Sequence, residues 1–379
     1  MRHSSRLTQA TQLIIGIDAR AATEVPAGRG RVVRELLRAL ADGTDDQRYV
    51  LYARQAWPGV PEERFRWRLV SARDPWWHVL TAHAANRECD VFLSTNSYLT
   101  PWFLRVPSVP IVYDMIAFEK TMQPNRRSAV IERVTLGPAV RRSQTLLCIS
   151  RATEEALIER FPAARGQTVV APLGVTLRPA EALDKGPEDL PPEGFVLAVG
   201  TLEPRKNLPR LVRAYLTLDE QTQLRHPLVV VGALGWETGE TLEALRSLGE
   251  RCIMLGYVSD AALAELYRRC GVFCYPSLGE GFGLPVLEAM AAGAAVITSN
   301  LSSLPEVGGE AVHYVDPREV TDIAAGLRRL LGDEQLRADL GQRARVRARD
   351  FSWEHFAEQT IKVLRAVGGA AGAGGPPLR

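Results

Sequence analysis

Cysteine is scarce in this chain: Cys89, Cys148, Cys252, Cys270 and Cys274 are the only ones in 379 residues. An odd number with no CxxC spacing excludes a disulfide framework and the usual zinc ribbons, and reads as small buried hydrophobes in a reducing compartment. The six histidines are scattered, and no Asp-x-Asp pair or His/Asp/Glu cluster occurs, so no metal site is expected. Charge of one sign is missing too. The net charge of +2 gives no argument for nucleic acid, although arginine far outnumbers lysine and can still meet phosphates locally. No apolar run reaches the roughly 18 residues of a membrane span. The opening "MRHSSRLTQATQ" is polar, and the following "LIIGIDA" is short and contains Asp18, so it reads as a strand rather than a signal peptide. The expected place is the cytoplasm, with the inner face of a membrane open to it through a membrane-bound substrate.

What is present is ordinary material for large cores, at 46% apolar and 24% charged residues. Length alone favours two domains of about 100–200 residues each. Strand and helix patterns alternate throughout. "LIIGIDA" leads into an amphipathic "GRVVRELLRAL", and "RYVLYA", "DVFLST", "VPIVYDM" and "TLLCIS" repeat the strand pattern. Residues 176–194, rich in proline and acid, read as a linker between a first domain over 1–175 and a second over 195–350. The alternation then restarts with "FVLAVG", "PLVVVG", "RCIMLGYV", "GVFCYPS" and "AAVITS". A helix over 351–366 is expected to cross back to the first domain, and 367–379 to be a disordered tail. The fold class is α/β, with two open parallel sheets whose carboxyl ends face a shared cleft.

Two motifs carry chemistry. In "VLAVGTLEPRKNLPRLVRAY" a buried strand ends at Gly200, and Arg205 and Lys206 follow immediately before a helix start. Helix N-termini favour anions and disfavour cations, so adjacent cations there make most sense with a polyanion between them. In "YPSLGEGFGLPVLEAM" Glu280 precedes a Gly281-Phe282-Gly283 turn, and Glu288 lies about one turn into the helix that starts at Leu284-Pro285. The Gly283 and Leu284 amides are expected as open donors, and both carboxylates can face one cleft and accept vicinal hydroxyls. Helix capping alone accounts for Glu288 but not for the whole constellation.

These motifs, with "LGYVSDAALAELYRRC", "VDP" and "SNLSSLPEV", resemble the GT4 family of retaining glycosyltransferases with the GT-B fold, across almost the whole chain. The resemblance implies a hexosyltransferase whose N-terminal domain binds the acceptor and whose C-terminal domain binds the donor. It assigns Arg205 and Lys206 to the donor diphosphate, Glu288 to the ribose and Glu280 to the transferred sugar. Backbone contacts fall to Gly200, Gly281, Phe282, Gly283 and Leu284, and the nucleobase to Tyr257 and Val258. Gly28, Arg29 and Gly30 in "AGRGR" match the loop near diphosphate and acceptor, although a plain strand-helix turn fits them as well. The "TSNLSSLPEV" segment is similar to mannosyl- and rhamnosyltransferases of surface polysaccharides, which implies GDP-mannose as donor and a glycan or lipid-linked acceptor. Cations and helix amides stabilise charge on a leaving phosphate without a metal, so no cofactor beyond the nucleotide sugar is expected.

One departure stands out. Where relatives often carry His-Asp after a strand, this chain has Tyr113-Asp114. Tyrosine cannot carry a positive charge near neutral pH. Both residues are placed at the sugar, with Asp114 the better one to contact or deprotonate the acceptor. The stripe "RFRWRLVSARDPWWHVL", with Trp67, Trp76 and Trp77, reads mainly as packing and leaves a peripheral membrane contact open. Rival readings are a UDP-sugar enzyme acting on a small molecule and a non-catalytic nucleotide-sugar-binding protein. A dehydrogenase lacks its GxGxxG here.

Overall fold

In the computed structural model, residues 12–26, 28–61, 63–119, 126–176, 190–236 and 238–372 are described. Most of the expected 176–194 linker and the polar N-terminus lie outside them.

The first sheet contains β1 (Ile14–Asp18), β2 (Arg48–Ala53), β3 (Phe65–Leu69), β4 (Val91–Ser94), β5 (Ser108–Val112), β6 (Leu146–Cys148) and β7 (Thr168–Val170), in the order β3-β2-β1-β4-β5-β6-β7. The second contains β8 (Val196–Val199), β9 (Leu228–Val231), β10 (Cys252–Gly256), β11 (Val272–Tyr275), β12 (Val296–Ser299) and β13 (His313–Val315), in the order β10-β9-β8-β11-β12-β13. Every strand pair is parallel. The central strands are buried on both faces, which is why they read as continuous apolar runs rather than alternations. In each sheet the strand order reverses beside its first strand, and the crevice at such a switch point is where open α/β sheets bind ligands.

The arginine- and tryptophan-rich stretch divides. Phe65–Leu69 is the edge strand β3, with Arg66 and Arg68 exposed. Trp77 is fully buried as expected, but Trp76 stands exposed at the start of the Trp76–Glu88 helix, so the packing reading fails for that residue. The C-terminal helix, Trp353–Gly372, does cross back, packing on the Arg29–Asp42 helix and on β4 and β5. It runs past 366, because Val367 is buried and Gly368 sits against Leu13 and Val91. The expected tail therefore begins later than 367, and 373–379 lie outside the described residues.

The domains touch through the motif turn. Ser150 Oγ donates to the Gly281 carbonyl at 2.6 Å, Thr153 Oγ1 donates to it at 3.2 Å, and Glu306 accepts from the Arg151 and Ala152 amides at 2.8 and 2.6 Å. The last pair places a carboxylate from the second domain at the N-terminus of the Arg151–Arg160 helix, where the helix dipole favours it.

Candidate active site

Arg205 and Lys206 lie in a short 3-10 turn after β8, and Glu280 lies in the turn after β11, the strand paired to β8. Neighbouring strand ends therefore deliver both halves of the constellation to one place. Glu280 Oε2 is 2.6 Å from Arg205 Nη1, and its Oε1 is 2.7 Å from Lys206 Nζ. The Tyr275 and Ser277 hydroxyls donate to Oε1, each at 2.7 Å. Burial by itself would raise the Glu280 carboxyl, but Arg205 and Lys206 outweigh it and hold it well below the usual carboxylate range. Burial and Arg205 lower the Lys206 ammonium, which Glu280 and Glu203 oppose. Arg205 Nε also pairs with buried Glu203.

The cations are therefore not waiting without partners, as the sequence suggests. Two arms of negative charge, Glu203 and Glu280, already neutralise them. Tyr275, Ser277 and Glu203 are absent from the sequence-derived site because they read as strand and turn residues.

Gly281 and Gly283 have specific reasons. A Cβ on Gly281 would collide with the Tyr113 carbonyl and lie 2.9 Å from Asp114 Cβ. Gly283 adopts φ 104°, which favours glycine. The turn is thus pressed against the end of β5 in the other domain, so Glu280 and the Tyr113-Asp114 pair share one locality. The Gly283 and Leu284 amides have no acceptor within the described residues, and Leu284-Pro285 opens the Leu284–Ala292 helix. Phe282 turns inward, edge-on to Phe351 at 5.8 Å, leaving only its backbone for a ligand. Gly200 follows β8 with φ 138°, beside the Lys206 side chain.

Glu288 is buried one turn into that helix. Arg31, from the first domain, pairs with its Oε1, and the Tyr267 hydroxyl donates to Oε2 at 3.1 Å. Burial raises the Glu288 carboxyl above its ordinary value although Arg31 and Tyr267 work against it. A carboxylate has about four lone-pair positions, so two remain for hydroxyls. Arg31, Glu35, Thr176, Asp260, Tyr267 and Glu288 line a pocket between the domains. Tyr257, exposed, and Val258, half-buried, follow β10 and do not line this pocket. Arg31 was legible only as one arginine of the "AGRGR" loop.

Of that loop, Gly28 caps the Arg29–Asp42 helix, and Arg29 and Gly30 form its first turn. Arg29 pairs with Glu132 at 2.5 Å and lies over the Tyr113 ring, 5.2 Å from its centroid. It therefore belongs with Tyr113 and Asp114. Burial raises Glu132, and Arg29 opposes that. Among the described residues the buried Tyr113 hydroxyl has no hydrogen-bond partner, and burial raises it. Asp114 is half-buried and accepts the Ile116 amide at 3.0 Å. Among the described residues no group of three His, Cys, Asp or Glu is placed to hold a metal.

At the carboxyl end of β1, Asp18 pairs with buried Arg20 at 3.0 Å, and Arg20 stacks 3.6 Å over Trp77. Beside them His78 Nδ1 meets Thr100 Oγ1 at 2.8 Å, and burial, aided by Arg20, lowers the imidazole to about 4. The unfolded chain binds that proton near 6.5. Stability is therefore complete above that pH and falls as pH drops from about 6.5 towards 4, by up to about 3 kcal/mol. Urea unfolding across this range should show the loss, and His78→Gln should flatten it.

Two parallel-sheet α/β domains joined by short inter-domain contacts give the chain the GT-B fold. Residues 183–347, less than half of the chain, match the family described as glycosyl transferases group 1. The chain is 42% identical over 178 residues to the O-antigen chain mannosyltransferase B of Escherichia coli, covering 46% of each chain. It is 30% identical over 285 residues to the D-inositol 3-phosphate glycosyltransferase of Streptomyces avermitilis, covering 68% of this chain and 60% of the relative. The matches thus span less than two thirds of these relatives' own length. In fold it is similar to sucrose-phosphate synthase from Thermosynechococcus elongatus, with a TM-score of 0.70 at 22% identity, covering 95% of this chain and 100% of that one. It is also similar to Anabaena Alr3699/HepE in complex with UDP and glucose, with a TM-score of 0.72 at 16% identity, covering 94% and 100%.

Proposed function

We propose that the protein transfers a hexose, with mannose from GDP-mannose as the leading choice, from a nucleotide diphosphate donor to a glycan or lipid-linked acceptor, with retention and without a metal. The observation that carries this reading is the convergence of Arg205, Lys206 and Glu280 on neighbouring strand ends, with Glu288 opening on the inter-domain pocket. The similarity to an O-antigen mannosyltransferase supports the sugar and the acceptor class.

In this reading the diphosphate takes up the Arg205 and Lys206 donors beside the Gly283 and Leu284 amides. Glu288 keeps its contact with Tyr267 and accepts ribose hydroxyls on its remaining lone pairs. Glu280, held ionised, accepts sugar hydroxyls. As the glycosidic bond to the diphosphate breaks, negative charge gathers on the leaving oxygen, and fixed cations and amides stabilise it. Asp114 and Arg29 face the acceptor. Arg29 also supplies, over the Tyr113 ring, a permanent positive charge where relatives often use histidine. Nucleic acid is not a partner, and the five free thiols suit a reducing compartment such as the cytoplasm. No helix among the described residues is long and apolar enough to cross a membrane.

The test is a thermal-shift panel of nucleotide sugars. The true donor raises the midpoint, by RT ln(1 + [L]/Kd) in free energy, and Glu288→Ala removes the response. A flat panel overturns the reading. Turnover should also persist in EDTA; loss that a divalent ion restores would contradict metal independence.

A further inference from the structure

Arg29, Arg31 and Arg34 crowd the start of the Arg29–Asp42 helix, and its first turn holds no acid. A helix N-terminus disfavours cations, so each arginine needs a partner from elsewhere. Arg29 has Glu132, and Arg34 donates to the Ala22, Val25 and Pro26 carbonyls, all within the first domain. Arg31 instead reaches across the cleft. One guanidinium nitrogen pairs with Glu288 Oε1, and another donates to the Thr176 carbonyl at 3.0 Å. Thr176 lies where the described chain leaves the first domain. One side chain thus ties together a first-domain helix, the exit from that domain and the Leu284–Ala292 helix of the second.

Glu288 therefore has one anchor on each oxygen. The Tyr267 hydroxyl, on Oε2 at 3.1 Å, belongs to the same domain as the carboxylate, and Arg31 does not. The groups facing Glu288 are Arg31 and Glu35 from the first-domain helix, and Asp260 and Tyr267 from the Asp260–Arg269 helix. Glu35 is itself paired with Arg38. Burial and the Asp260 charge favour the protonated form of Glu288, while Arg31 and the Tyr267 hydroxyl oppose them. Of these four groups Arg31 is the cation. A protonated carboxyl turns one oxygen into a donor and is a poorer acceptor for vicinal hydroxyls.

We propose that Arg31 is a positioning residue for donor binding: from the opposite domain it sets the charge and the aim of the Glu288 carboxylate, so that the ribose is gripped in full only across a closed cleft. This rests on the reading of Glu288 as the ribose contact. The planar guanidinium, fixed by Thr176 at another nitrogen, holds Oε1 in one orientation. The remaining lone pairs are left to the pocket that Glu288 lines. A parted cleft would leave only Tyr267 and water on the carboxylate. Donor affinity is thereby tied to the closed arrangement through a residue that acts on Glu288 rather than on the ligand.

The test is the affinity of the full chain for GDP, UDP, ADP and dTDP from about pH 5 to pH 8, in wild type, Arg31→Gln, Arg31→Lys and Glu288→Ala. Protonation of Glu288 weakens binding, and loss of Arg31 raises its carboxyl. For the nucleotide that the wild type binds, the fall in affinity on the acid side should therefore begin about one pH unit higher in Arg31→Gln. The loss should be at least ~10-fold at the acid end and narrow towards the alkaline end. Arg31→Lys keeps the charge without the planar fork, so it should restore the pH profile with a smaller, pH-independent loss. The dideoxyribose form of the same nucleotide, which lacks both ribose hydroxyls, should bind wild type and Arg31→Gln equally. If Glu288→Ala weakens binding but Arg31→Gln does not, or weakens it equally at every pH, the Arg31 proposal is overturned and the donor reading stands. Binding of none of the nucleotides, or an unchanged affinity in Glu288→Ala, overturns the donor reading and this proposal with it.

Discussion

Glu280→Gln should lower turnover by at least about 10²-fold and destabilise the unliganded protein by about 3–5 kcal/mol. Both effects come from one carboxylate. It is buried, it pairs with Arg205 at 2.6 Å and with Lys206 at 2.7 Å, and it is the larger share of the anion that keeps those buried cations compensated. Glutamine keeps an acceptor for Tyr275 and Ser277 but removes the charge. Nucleoside diphosphate should then stabilise the variant more than the wild type, because the ligand supplies the missing negative charge. Acid behaviour should change as well. The folded carboxyl is depressed, so its contribution is present above the unfolded value of about 4.3 and is lost as pH falls below it; the variant should lack that acid-dependent part. Urea unfolding with and without nucleotide measures both. Wild-type stability in the variant would mean the ion pairs contribute nothing. An equal nucleotide shift would mean the phosphates do not meet Arg205 and Lys206.

Gly281→Ala should cost about 10²-fold in kcat/KM, the scale on which small misplacements in a site act, with a much smaller loss of global stability. The added methyl has no space between the domains, since it would meet the Tyr113 carbonyl and Asp114 Cβ. It would also disturb the bonds from Ser150 and Thr153 to the Gly281 carbonyl. The motif turn must then move away from β5, which separates the Glu280 side of the site from Asp114. Small-angle scattering should show a larger radius of gyration for the variant. Gly239→Ala, at a helix start with nothing within 4 Å, is the matched control and should leave activity unchanged. Full activity in Gly281→Ala would show that this domain contact is not used in catalysis.

Much of this arrangement was legible in the order of residues. Buried parallel strands announce themselves as apolar runs ending in glycine, as at Gly200, and the turns after them must lie at one sheet edge. That logic alone brings Arg205 and Lys206 towards Glu280. Pairing across the fold was not legible. Sequence showed two cations next to a helix start and no way to see that Glu280 and Glu203 would fold onto them, so their need for an external anion was overstated. Tyr275 looked like one more core residue of β11, although its hydroxyl reaches Glu280. Arg31 and Glu288 are far apart along the chain and meet only because the cleft closes there. Glu132 was hidden for a different reason: its helix mixes exposed Val130, Ile131 and Val134 with exposed arginines and contains Pro138, so it shows no clean apolar-in, polar-out pattern.

In the proposed reading Glu280 and Glu288 hold opposite ends of one nucleotide sugar, with Arg205 and Lys206 on the diphosphate between them. Release of nucleoside diphosphate from the donor identified by the thermal panel, in the presence of EDTA and a mannan-type acceptor, tests it most directly across wild type, Glu280→Gln and Glu288→Gln. Expected are steady release by the wild type, a higher KM for the donor in Glu288→Gln, and a collapse of kcat with retained nucleotide binding in Glu280→Gln. Wild-type kinetics in both variants would contradict it.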